Sequence, residues 1–70
     1  MTNTEEIIKS WPWRVKRIGM TLGAFCEGVG IPAPTFSQYT TGKAEPPASR
    51  YIAIEEALSK MEIEKGFVDA

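Results

Sequence analysis

The sequence predicts an all-α fold, a compact bundle of four to five short helices, and three observations lead there. Apolar residues recur at steps of three and four along most of the chain, which places them on one face of a helix. No stretch alternates apolar and polar residues between hairpin turns, as a half-buried strand would. Five prolines and six glycines cut the 70 residues into segments that suit short helices only. With 43% hydrophobic residues the chain, 1–70, supports a single core and one domain. A domain of this size buries only ~60% of its unfolded surface, so it depends on good packing or on a second subunit. One cysteine, Cys26, and no histidine leave neither an internal disulfide nor a Cys/His zinc site to help.

The first apolar series is Ile7 or Ile8, Trp11, Val15 and Ile18, within Thr4 to Ile18. Pro12 interrupts it, because an interior proline lacks a backbone donor and clashes with the preceding turn. Ser10 can cap a fresh helix with Pro12 in its first turn. A break near Ser10–Pro12 is therefore expected, with a firm helix from about Trp11 to Arg17 and residues 1–10 as either helix or arm. Thr21 suits the N-cap of a second helix carrying Leu22, Phe25, Cys26 and Val29, which Gly28 and Gly30 end after about two turns. Leu22 reads either as core or as an exposed apolar spot. Ile31 precedes a proline and is extended. Pro34 fits the first turn of a third helix holding Phe36 and Tyr39, with Gly42 as its left-handed end. After the rigid Pro46–Pro47 turn, Ala48 to Lys60 carries Tyr51, Ile52, Ile54, Ala57 and Leu58, the strongest helical pattern in the chain. From Met61 onward the apolar positions scatter.

Two short helices joined by a glycine turn are the frame of a helix-turn-helix, here about 21–41. Phe25 and Val29 supply its apolar contacts, Cys26 the small residue at the crossing, and Gly30 the positive-φ turn. Ile31 buries that turn, and Phe36 and Tyr39 anchor the next helix while leaving its other face free. Gly30-Ile31, Thr35-Phe36-Ser37, Tyr39, Gly42-Lys43 and Pro46 together resemble the lambda-repressor-like family of DNA-binding domains (the Cro/cI, XRE type). Gly19-Met20-Thr21 resembles the family's entry to helix two, and Tyr51-Ile52, Ile54 and Ala57-Leu58 its closing helix. The resemblance covers about Val15 to Leu58. Five positions depart from the family pattern. Ala33 and Pro34 stand where the family often has Gln or Arg, and Leu22 where it favours glutamine. The family's arginine–acid pair is matched by Val15, with Arg14 one position off, and by Thr40.

The resemblance implies a prokaryotic or phage transcriptional regulator that binds a double-stranded DNA operator as a homodimer, with helix three in the major groove. Carried over by position, Ala33, Pro34, Ser37 and Gln38 face bases, and Gln38 can pair bidentately with adenine. Arg14, Arg17, Thr21, Thr35, Thr40, Thr41 and Lys43 are the candidate phosphate contacts. Met61, Ile63, Phe67 and Val68 are the candidate dimer contact. Trp11-Pro12-Trp13 is expected to split, with Trp11 in the core and Trp13 at a partial or dimer contact; stacking on bases is the alternative.

The formal net charge of −1 opposes a nucleic-acid reading at first sight. Resolved along the chain, Lys9 to Arg50 holds six basic and two acidic residues, or +4. From Tyr51 onward two lysines meet five acids, or −3, and Glu5 and Glu6 supply the remaining −2. Four phosphates neutralised per subunit would give a log K against log salt slope of about −3.6. The alternative reading is a protein-interaction module on the same frame, an antirepressor or phage adaptor with little DNA readout. No nucleophile–base pair, histidine or phosphate loop points to an enzyme, and no cofactor, metal or small-molecule ligand is expected. No apolar run reaches ~20 residues and no signal-peptide layout is present, so a cytoplasmic location is expected.

Overall fold

The computed structural model describes residues 4–67, and four helices account for most of them. They are α1 (Thr4–Arg17), α2 (Leu22–Val29), α3 (Ala33–Thr41) and α4 (Ala48–Glu64). Every helix sends at least one aromatic ring toward the centre. Trp11 of α1 stacks on Phe36 of α3 at 5.9 Å, and Tyr51 of α4 lies 5.6 Å from Trp11. Phe25 of α2 meets Phe36 edge-on at 5.9 Å. Ile8, Val15, Ile18, Cys26, Ile31, Tyr39, Ile54 and Leu58 complete the buried core. Burial pushes the Cys26 thiol above its ordinary pKa, which suits a small apolar core residue.

The expected break at Ser10–Pro12 is absent, and α1 runs unbroken through Pro12. A continuous helix is what places Ile8, Trp11 and Val15 on one buried stripe. Burying those three side chains outweighs the roughly 3 kcal/mol that an interior proline costs. Residues 4–10 are therefore helix rather than arm. Helix α4 continues past Lys60 to Glu64, because Met61 packs against the core and Glu62 is buried against the arginines of α1. Leu22 is half-buried against the core, which decides its earlier ambiguity. Ile52, in contrast, is exposed, and it lines an open groove of about 740 Å³ with Ile8, Tyr39, Ala44 and Tyr51.

The connections follow local chemistry. Thr21 caps α2 by accepting a hydrogen bond from the Ala24 amide at 3.1 Å. Gly30 closes α2 at φ +75°, and the Ile31 amide donates back to the Cys26 carbonyl at 3.0 Å. Gly30→Ala is expected to lose about 1 kcal/mol, a fall of ~4–8 °C in the midpoint of thermal unfolding. Nothing lies within 4 Å of an added methyl, so the loss is conformational; an unchanged midpoint would show that the left-handed turn is not required.

Candidate nucleic-acid interface

Helix α3 is phased by Phe36 and Tyr39, which point into the core. Their burial turns Ala33, Pro34, Ser37, Gln38 and Thr41 outward, and all five are exposed. The spacing of one, three, one and three residues makes them a single continuous stripe. Pro32 precedes α3 and supplies no side-chain cap, and Pro32 and Ala33 are both exposed. Thus the four residues expected to face bases lie together on one surface.

The expected phosphate contacts divide. Thr21 is exposed and uses only its oxygen as the α2 cap, leaving the hydroxyl proton to donate. Lys43 is exposed just beyond α3, where its amide donates to the Gln38 carbonyl at 2.9 Å. Thr35 is half-buried near the start of α3. Thr40 and Thr41 spend their hydroxyl protons on the Ser37 carbonyl, at 3.1 and 2.9 Å. A hydroxyl has one proton, so in this arrangement neither threonine donates to a phosphate.

Arg14 and Arg17 do not fit the expected role either. The Arg14 guanidinium faces α4, with Nε 3.0 Å and Nη2 2.6 Å from the two oxygens of Glu62. Its Nη1 donates to Glu55 Oε1 at 2.7 Å, an oxygen that also accepts from Trp11 Nε1 at 2.7 Å. Arg17 bonds the same Glu62 carboxylate through Nη2. The Arg17 guanidinium lies 4.7 Å from the ring centres of both Trp13 and Phe67. Glu62 is only 3% exposed. Hydrogen bonding from Arg14 holds its carboxyl below the ordinary glutamate range, against the opposing effect of burial. The reciprocal contact raises the Arg14 pKa.

This network was not anticipated from the sequence, where Glu55 and Glu62 count only among the five acids that follow Tyr51. One signal was available. Glu62 follows Ile54 and Leu58 at steps of four, so a helix continued past Lys60 carries it onto the buried face. The consequence for charge is direct: two arginines of the central basic block are matched by two α4 carboxylates. Lys9 is also paired, with Glu5 at 3.1 Å, and Arg50 Nη1 donates to the Tyr39 hydroxyl at 2.9 Å. The exposed lysines of that block without an ion pair, among the described residues, are Lys16 and Lys43.

The expected dimer contact also divides. Met61 packs on its own core, Ile63 and Phe67 are exposed, and Val68 lies outside the described residues. Trp11 is fully buried and Trp13 is 62% exposed. Among the described residues no helix is long and apolar enough to cross a membrane. Comparison with protein-family models, with curated proteins and with solved structures finds no match for this chain.

Proposed function

We propose that this chain is a sequence-specific double-stranded DNA-binding regulator of the Cro/XRE kind, acting as a homodimer with α3 in the major groove. The observation that carries the proposal is the exposed α3 stripe of Ala33, Pro34, Ser37, Gln38 and Thr41, held outward by the buried Phe36 and Tyr39. Gln38 offers a bidentate amide to adenine, and the Ala33 methyl can meet a thymine methyl. In this reading Thr21, Thr35 and Lys43 contact phosphates of the duplex. With Arg14 and Arg17 committed to α4, Lys16 and Lys43 remain as the principal phosphate neutralisers. The expected salt slope per subunit falls accordingly to about −1.8.

Selection of bound duplexes from a random pool, followed by fluorescence anisotropy on the selected site, tests the reading. Gln38→Ala should weaken binding about tenfold and relax preference at one base position, since a bidentate base pair contributes ~1–3 kcal/mol of discrimination. A slope near −1.8 should accompany it. The second reading, a protein-interaction module, is favoured by one observation: the α3 face itself carries no charged side chain. Absence of duplex binding at about 50 mM salt, where phosphate contacts are strong, would overturn the DNA reading in its favour.

A further inference from the structure

We infer that α4 is also a self-association helix, whose outer face pairs antiparallel with α4 of a second copy of this chain. Opposite its core-facing Ile54 and Leu58, α4 exposes Ser49, Ala53, Glu56, Lys60 and Ile63. Their spacing of four, three, four and three keeps them on one helix face, a stripe whose centre is an opposite-charge pair flanked by Ala53 and Ile63. The seam reads complementarily against its own reverse. With the two-fold axis at the level midway between Glu56 and Lys60, each copy's Glu56 meets Lys60 of the second copy. In the same register Ala53 meets Ile63 of the second copy, small against large, and both pairs occur twice by symmetry. A parallel pairing would instead oppose Glu56 to Glu56 and Lys60 to Lys60, so charge selects the antiparallel arrangement.

The charges are available for that partner. Glu5 and Lys9 of α1 stand four residues apart and bridge at 3.1 Å. Glu56 and Lys60 stand in the same order at the same spacing, yet among the described residues neither has an ion-pair partner. Charged residues inside a seam set register more than they add affinity. Helix α4 has 17 residues, about 25 Å of length, so the strip is narrower than the ~800 Å² per partner of standard interfaces. The dimer is accordingly weak and concentration-dependent. It gives a defined geometry to the homodimer of the functional reading above, but it needs no DNA to form.

Sedimentation equilibrium of the 70-residue chain without DNA, from about 10 µM to 1 mM at low salt, measures this weak association directly. Reversible dimerisation is expected. Glu56→Lys and Lys60→Glu should each weaken it at least ~tenfold, because like charges then face each other across the seam. The double replacement Glu56→Lys with Lys60→Glu should restore it to within ~threefold of the original. Circular dichroism of each variant verifies the fold, which these exposed positions should leave intact. A chain monomeric throughout the range overturns the inference, as do single reversals without effect or a double replacement that fails to restore association. Failure here leaves the DNA measurements standing, and their failure leaves this one standing.

Discussion

Trp11→Ala is expected to remove about 3–5 kcal/mol of stability, the range for deleting a large aromatic from a packed core. Domains of this length have roughly 3.5–10 kcal/mol in total, so the variant should be substantially unfolded at 37 °C. Trp11 is fully buried, stacks on Phe36, lies tilted against Tyr51, and donates to Glu55. Its loss therefore opens a cavity where α1, α3 and α4 meet and strips one donor from the carboxylate that Arg14 also uses. Trp11→Phe keeps a ring but not the N–H, and a smaller loss of about 1–2 kcal/mol is expected. Urea unfolding followed by circular dichroism separates the two. A loss for alanine no larger than that for phenylalanine would show that the ring's volume does not hold the centre together.

Glu62→Ala should be comparably damaging, at about 3–5 kcal/mol, for an electrostatic reason. The substitution leaves Arg14 and Arg17 partly buried with the Glu62 carboxylate gone, and the Arg17 Nε already has no hydrogen-bond partner. Replacing the whole set, Arg14→Met with Arg17→Leu, Glu55→Gln and Glu62→Leu, should cost far less than the single change, since no orphaned charge remains. The same group gives the fold an acid sensitivity. The folded-state pKa of Glu62 is depressed, so the unfolded chain takes up the proton first. This stabilisation is fully present above about pH 5 and is lost as pH falls through the ordinary glutamate value near 4.3 and on through the lower folded one. Urea midpoints measured from pH 7 to pH 3 should fall less steeply for Glu62→Gln than for the parent. Equal slopes would mean that the network contributes nothing to folding.

Local chemistry made α2 and α3 legible. Thr21, Gly30, Pro34 and Gly42 each act within a turn of their own position, and the structure uses Thr21 as a cap and both glycines in the left-handed region. The α3 face was legible for a related reason: once Phe36 and Tyr39 are assigned inward, geometry turns Ser37 and Gln38 outward. Pro12 misled because its penalty is local, whereas the burial of Trp11 beside it is a property of the whole fold. The C-terminal end of α4 misled for another reason. A buried glutamate cannot be told from a surface one until its partners are known, and here those partners lie 45 and 48 residues away. The same distance hid the neutralisation of Arg14 and Arg17, so the basic block looked larger on paper than it is on the surface.

The two tryptophans, two residues apart in α1, also make the molecule a self-labelled optical object. Trp11 is sealed in the core beside Phe36, and Trp13 stands in solvent with the Arg17 guanidinium over its ring. Light emitted by the first reports on the integrity of the packed centre. Light emitted by the second reports on the outer end of the bundle, where the Phe67 ring shares that guanidinium. A dissolved quencher reaches Trp13 long before Trp11, so one spectrum resolves events at the surface from events in the interior without any added dye.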